Sequence, residues 1–335
     1  MNLFELTANL INIPSISGDE EAVGFYLRDY LESLGWTVEL QAVSPNQNNV
    51  IAYLNDTPRV FFSTHIDVVP SHISASEDDE KIYGRGACDA KGIVASQIFA
   101  AEALRKHHRI EDIGLLFTVE EEEGGAGAKV ANLHPIAAKC EYIINGEPTD
   151  NDLAIGSKGS LRFYIKTTGV AAHSAYPEQG ESAIEKLLEV LHDVLKIEFP
   201  HDEFYGATTN NIGTISGGVK TNVIAANAEA GLHIRTTSDE KPILEKIAEV
   251  IGERGEIEVM SISKPVKMLA VEGFRQKVVR FTTDIPHLSN WGTPLLLGAG
   301  SILVAHTKNE FVLKKDLEEA VGLYVSLAKK LLAAK

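Results

Sequence analysis

The sequence predicts an α/β protein: a mostly parallel sheet with helices on both faces, plus an inserted smaller α+β domain of split βαβ form. Three observations predict this. Short apolar runs such as Arg59–Thr64, Ile113–Val119 and Glu141–Ile144 alternate with helical patterns, the order of a parallel sheet buried on both faces. After about residue 157 the pattern becomes half-exposed alternation, in the order strand–helix–strand–strand–helix–strand. The α/β pattern resumes from about residue 265. Residues 1–157 and 265–335 are therefore expected to form one discontinuous domain, and 158–264 an insertion.

The elements follow in order. Ser17-Gly-Asp-Glu20 reads as a capping box, in which the serine oxygen accepts a free backbone N–H and the glutamate reaches back. Val23, Leu27, Tyr30, Leu31 and Leu34 follow at helical spacing and Gly35 ends the helix. Trp36–Val43 and Asn49–Leu54 read as strands, Arg59–Thr64 as a buried strand and Lys91–His107 as a helix. Ile113–Val119 is the next buried strand. A Gly/Ala-rich turn then leads to a helix ending near Leu133, before the run Glu141–Ile144.

In the insertion, Leu161–Thr168 alternates as a strand. Ser182–Lys196 is an amphipathic helix expected to turn Ile184, Leu187, Leu188, Leu191 and Leu195 inward. Thr209–Ile215 and Asn222–Thr236 read as strands about the turn Ser216–Lys220. A helix over Lys241–Gly252 and a strand over Glu256–Ser261 complete the unit. Beyond it, a helix near Gly273–Thr283, strands near Leu295 and Ile302, and a last helix over Lys314–Lys330 are predicted.

Composition excludes several functions. The 335 residues carry a formal net charge of −16, which repels phosphate backbones and argues against nucleic acid as a partner. No apolar run approaches the roughly 18 residues of a membrane helix, so no membrane role is expected. The start, MNLFELTANL, has Glu5 early and no basic stretch before an apolar one, unlike a secretory signal. Cys88 and Cys140 are the only cysteines and do not form a CxxC pair. That usage suits a reducing compartment, and the cytoplasm is the expected location.

The chemistry concentrates after the apolar runs. His65 and Asp67 follow VFFST; Glu120, Glu121, Glu122 and Glu123 follow IGLLFTV; Glu147 follows EYIIN; His306 follows SILVA. In open α/β sheets, ligands bind beyond the carboxyl ends of parallel strands, so these groups are expected to converge. Asp89 joins them from the loop Gly84–Asp89. Two imidazoles with several carboxylates suit zinc, cobalt or manganese. Five ligand candidates exceed the needs of one catalytic zinc and suit two metals sharing a carboxylate. Taken singly, each group has a plainer reading: a structural histidine, a solvated acidic loop, a helix cap at Asp89, a turn residue at Glu147. The plain readings weaken together, because all five sit where the loops would meet.

The stretches STHIDVVP (63–70), YGRGACDAKG (83–92), FTVEEEEGGAGA (117–128), NGEPTD (145–150) and VAHTKNEF (304–311) resemble the motif set of the co-catalytic zinc amidohydrolases. That family includes acetylornithine deacetylase, succinyl-diaminopimelate desuccinylase, aminoacylase and carboxypeptidase G. The resemblance spans nearly the whole chain in the same order. It implies two divalent metals, with His65 and Glu147 on one, Glu122 and His306 on the other, and Asp89 bridging. It implies that Asp67 orients His65 and that Glu121 is the general base. The glutamate run leaves the register open, since a shift by one moves the base to Glu120 or Glu122; Gly124 and Gly127 favour Glu121. Glu120 stands where the family usually has Asp, and Ala90 where it often has Met.

In the insertion, Gly169–Pro177 resembles the family's lid segment, which implies that His173 donates to an oxyanion in a partner subunit's site and that the insertion is a lid and dimerisation domain. GGVKTNVIAA (217–226) implies substrate contact by Asn222. Arg235 resembles the arginine that holds the substrate's α-carboxylate, and Gly298, Gly300 and Ser301 a loop whose N–H groups do the same. The resemblance points to hydrolysis of an N-acyl amino acid, first N-acetylornithine or N-acetyl-lysine, by a homodimer. Succinyl-diaminopimelate, with Lys158, Arg162 and Lys220 as further cationic contacts, and dipeptides or other acyl amino acids are the alternatives. A noncatalytic metal- or amino-acid-binding module is the reading from another class.

Overall fold

The computed structural model describes residues 1–333. The chain divides into two compact units. The first comprises Met1–Ile155, Met268–Lys277 and the residues from Thr283 on; the second comprises Gly156–Lys267 and Val278–Thr282.

The first unit is built on a mixed sheet with a parallel centre. Its strand order is Thr37–Ser44, Gln47–Tyr53, Ile113–Thr118, Val60–His65, Tyr142–Asn145, Thr293–Leu296 and Leu153–Ser157. The first two strands and Leu153–Ser157 run antiparallel to their neighbours. The four from Ile113–Thr118 to Thr293–Leu296 are parallel. Because strand side chains alternate between faces, Val60 and Phe62 enter one core with Ile113, Leu115, Ile144 and the helices Lys91–His108 and Lys314–Ala333. Phe61, Leu116 and Ile143 enter a second core on the other face, beside Ala128, Ala131 and Trp291. Phe61 meets Trp291 edge-on with centroids 4.8 Å apart, an arrangement worth about 0.5–1.5 kcal/mol beyond its burial. Both faces are thus covered, and helix Lys91–His108 is buried on nearly every side.

Several local expectations are corrected. The capping box is not at Ser17: helix Glu21–Ser33 has Glu20 at its N-cap with no side-chain cap bond, and Ser17 Oγ donates to Asp67 Oδ2 at 2.7 Å instead. The pattern occurs at Asn2 and Glu5, which open a further helix, Leu3–Asn12. The segment near Gly273–Thr283 holds a strand, Gln276–Val279, rather than a helix; it pairs with Leu153–Ser157, so ladder bonds outweigh its helical spacing. The run near Ile302 is a set of turns, and the next strand is Phe311–Leu313.

The second unit is a four-stranded antiparallel sheet in the order Thr209–Gly217, Asn227–Thr236, Gly159–Thr168, Glu256–Ser263. One face packs on helices Ala183–Val194 and Glu240–Ile251 through Leu161, Phe163, Ile165, Leu187, Leu191, Ile234 and Ile247. This is the strand and helix order of a split βαβ unit. Helix Ala183–Val194 turns differently from expectation. Ala183, Leu187, Val190, Leu191 and Val194 face inward, whereas Leu188 and Leu195 are 54% and 63% exposed and Ile184 lies at the rim. Val190 and Val194 complete an i, i+3, i+4, i+7 stripe that leaves Leu188 and Leu195 outside it.

Candidate metal centre

Three of the four parallel strands lead to a group of the site. Val60–His65 delivers His65 and then Asp67. Ile113–Thr118 leads through Val119 to the glutamate run. Tyr142–Asn145 is followed by Gly146 and Glu147. Gly146 is required by close approach, since a Cβ there would sit 2.4 Å from Ile93 and 2.6 Å from Gln97. His306 arrives differently, from a turn with a left-handed φ of 62°, a region where histidine is enriched among non-glycine residues.

Asp89 lies just ahead of helix Lys91–His108. It is not the cap: the N-cap is Ala90, and no side chain caps the helix. Its carboxylate is therefore left for other partners, and it reaches two imidazoles. Oδ1 is 3.0 Å from His65 Nε2 and Oδ2 is 3.3 Å from His306 Nε2. His306 Nε2 is also 2.9 Å from Glu122 Oε1. His65, Asp89 and Glu122 each offer a ligand atom within 4.8 Å of the others.

The four glutamates separate by environment. Glu120 accepts from Gln47 Nε2 at 3.1 Å, Glu122 faces His306, and Glu123 is exposed. Burial first, then Asp284, Glu122 and Asp67, push the Glu121 carboxyl well above its ordinary range, against the pull of His65. Glu147 is buried and its Oε1 has no hydrogen-bond partner among the described residues. Burial and the nearby Glu121 raise its carboxyl well above the usual range. Donating to the carboxylates of Asp89 and Glu122 raises the His306 imidazole to about 10.

Asp67 is the hub of the loop ends. Its carboxylate lies 3.4 Å from His65 Nδ1 and accepts from Ser17 Oγ, from Glu121 N at 3.1 Å and from Glu122 N at 3.2 Å. Burial would raise its pKa, but His65 and these donors hold it below the ordinary value. Three participants carried no signal in the local sequence. Ser17 looked like a cap. Glu20 is buried and accepts from Glu120 N and Gln47. Asp284 is buried and accepts from Thr118 Oγ1 at 2.7 Å across 166 residues.

The donor set fits divalent cations. Ligands at about 2.0–2.1 Å on a tetrahedral ion stand about 3.3 Å apart, close to the separations across Asp89. The unpartnered Glu147 oxygen is a further buried oxygen donor. His65, Asp89 and Glu122 meet the spacing a metal ion needs, and His306 adjoins the last two of them.

In the second unit, His173 is exposed and its Nδ1 accepts from Ala175 N at 3.1 Å. It pairs with Val223 in an isolated bridge, and Ser174 N donates to Asn222 O at 3.1 Å. His173 and Asn222 therefore lie on adjacent segments; Asn222 precedes the strand Asn227–Thr236 rather than lying within it. Arg235 Nη1 donates to Thr282 Oγ1 at 3.1 Å.

In the first unit, Gly298 departs from the expectation for the glycine loop. The Gly298 N–H donates to Thr149 Oγ1 at 3.0 Å, so it is already committed and does not await a carboxylate. A Cβ at Gly300, whose φ is +84°, would meet Cys88 Cβ at 2.7 Å. Ser301 forms a bridge with Thr149.

Residues 61–330 match the family model described as peptidase family M20/M25/M40. A peptidase M20 domain-containing protein of Schizosaccharomyces pombe is 40% identical over 334 residues, covering 96% of this chain and 83% of its own. A probable carboxypeptidase of Arthroderma otae is 34% identical, covering 98% of this chain and 85% of its own. The fold is shared with an M20 family metallo-carboxypeptidase from Sulfolobus solfataricus, at a TM-score of 0.80, 18% identity and coverage of 98% and 99%. It is also shared with a dinuclear metal binding peptidase of the M20 family from Bacillus subtilis, at a TM-score of 0.74, 17% identity and coverage of 99% and 98%. With a family match over most of its length and a relative at 40% identity, this chain belongs to peptidase family M20/M25/M40.

Proposed function

We propose that this M20-family hydrolase cleaves an amide bond whose nitrogen is attached to a carboxylate-bearing carbon, using two divalent cations, zinc first and cobalt or manganese as alternatives. One observation carries the reading: Asp89 presents its two oxygens to two imidazoles, His65 at 3.0 Å and His306 at 3.3 Å. That is the disposition a carboxylate shared by two cations requires. His65 with Glu147, and Glu122 with His306, would complete the two sets.

Bound cations would supply Lewis acidity toward the acyl carbonyl and lower the pKa of a water. Glu121 takes the proton of that water as its oxygen bonds to the acyl carbon. The C–N bond then breaks, and Glu121 returns the proton to the departing amine. Asp67 keeps His65 and the Glu121–Glu122 backbone in register. In the same reading Asn222 and Arg235 recognise the substrate, Arg235 through its carboxylate. His173 donates to the oxyanion from a partner subunit. The homodimer forms through the second unit, where exposed Ile184, Leu188 and Ile215 border a groove of about 310 Å³.

N-acetylornithine and N-acetyl-lysine are the first substrates to try, with succinyl-diaminopimelate as the variant carrying an extra carboxylate. A second reading, cleavage of a carboxy-terminal peptide bond, is favoured by the name of the Arthroderma otae relative; its scissile amide has the same chemistry. Metal analysis followed by a hydrolysis panel of these acyl amino acids and dipeptides separates them. Glu121→Ala should abolish turnover while leaving metal content at the parent level. Bound metal with no hydrolysis of any substrate would favour a noncatalytic binding module and overturn the proposal.

A further inference from the structure

Two conspicuous residues of the motif stretches have no part in the chemistry above: Arg85, in the loop that leads to Asp89, and Glu310, four residues after His306. Both are buried, at 4% and 1% exposure, and they meet as an ion pair with Glu310 Oε2 2.6 Å from Arg85 Nη1. The other carboxylate oxygen accepts three main-chain N–H groups of the Asp89 loop: Gly86 at 2.9 Å, Cys88 at 3.3 Å and Asp89 itself at 3.3 Å. The link is returned from the other side. Arg85 Nη1 donates to Thr307 O at 3.2 Å, and Gly84 N donates to Glu310 O at 3.1 Å. One side chain thus ties the loop carrying Asp89 to the turn carrying His306.

A buried ion pair is weak evidence of stabilisation, because desolvating two charges offsets most of their attraction. An apolar pair of similar volume would hold the loops together as well. It would not gather three N–H groups onto one oxygen. That convergence fixes the peptide planes from Gly86 to Asp89, and with them the direction in which the Asp89 side chain leaves the backbone. The fit is close: a Cβ at Gly86 would lie 2.9 Å from Val68 and 3.0 Å from Lys91, so the loop has little room to settle elsewhere.

We propose that Glu310 is a positioning residue that aims the Asp89 carboxylate so that it spans His65 and His306, acting through the Asp89 N–H and through Arg85. The proposal rests on the metal-binding reading of that site. It is tested by titrating the metal-free parent and Glu310→Gln with cobalt(II), following the visible absorption of the bound ion, together with kcat, KM and the melting temperature of both metal-free proteins. Glu310→Gln should bind cobalt about 10- to 100-fold more weakly, the usual effect of losing a partner that orients a ligand, with a changed absorption spectrum. Its kcat should fall while KM stays near the parent value. Glu310→Asp keeps the charge but is one methylene too short to reach Arg85 and the three N–H groups together. It should shift affinity and spectrum in the same direction, and it carries the test if the glutamine variant does not fold. Parent-like affinity and spectrum, with only a lower melting temperature, would make Glu310 merely structural and overturn the proposal. If the parent itself takes up no cobalt, the metal reading fails, and the inference with it.

Discussion

The carboxylate of Asp67 accepts the main-chain N–H of Glu121 at 3.1 Å, joining the end of one parallel strand to the loop after its neighbour. The same group lies 3.4 Å from His65 Nδ1. The histidine and the glutamate run are therefore both held at Asp67, the histidine also through the Asp67 main-chain oxygen, 3.0 Å from its Nδ1. Asp67→Asn keeps the shape but replaces one acceptor oxygen with a donor, setting N–H against N–H. We expect metal affinity to fall about 10- to 100-fold and stability by about 1–3 kcal/mol. Calorimetric metal titration and urea unfolding would measure both, and unchanged affinity would contradict the orienting role.

Metal removal should cost stability as well as activity. The Glu121 and Glu147 carboxyls are raised first by burial and then by repulsion from neighbouring carboxylates, Asp284 and Glu122 for the one, Glu121 and Asp89 for the other. Cations would relieve that repulsion. At free metal one hundred times the dissociation constant, each site should add about 2.7 kcal/mol. Thermal melts with chelator and with added zinc test this; identical melting temperatures would count against a metal centre.

Glu20 predicts a pH dependence away from the ligands. Burial first, and the Asp67 charge second, raise its carboxyl from 4.5 to about 7. The folded protein therefore holds this proton to higher pH than the unfolded chain does. Below pH 4.5 both states are protonated and the group costs least; as pH rises toward 7 the unfolded chain alone releases the proton, and stability falls. Allowing for solvent screening, the change is on the order of 1–2 kcal/mol. Glu20→Gln should flatten the stability profile between those pH values in urea unfolding series. A profile parallel to the parent's would refute the assignment.

Leu188 tests the proposed homodimer. It is 54% exposed on helix Ala183–Val194, beside Ile184 and Ile215. Leu188→Asp places a charge there without touching the core under the helix. Sedimentation should move from dimer to monomer, and turnover should fall with it if His173 acts in a partner's site. A variant that sediments and turns over as the parent does would exclude this face as the interface.

Much of the architecture was legible in the residues. Consecutive Phe61 and Phe62 inside an apolar run announce a strand buried on both faces, and the structure sends them to opposite cores. The polar residues after those runs mark strand ends, because a parallel sheet puts its carboxyl ends on one side. The pattern places His306 after an apolar strand, but the run before it is a set of turns, too short in ladder partners to be a strand. Helix Ala183–Val194 departs from the face its leucines suggest, because the buried stripe runs through Val190 and Val194 and passes Leu188 by.

The sequence by itself determined the residue types of the site, their order and the layered α/β plan, since periodicity and strand-end position are local properties. The tertiary structure alone gave the four glutamates different surroundings, Glu120 at Gln47, Glu122 at His306 and Glu123 in solvent. It turned Ser17 from a helix cap into a donor to Asp67, brought Asp284 to Thr118, and set Asp89 between two imidazoles. Those choices join residues far apart in the chain, 166 positions for Thr118 and Asp284, where packing and the pairing of buried charges act and no local pattern records the outcome.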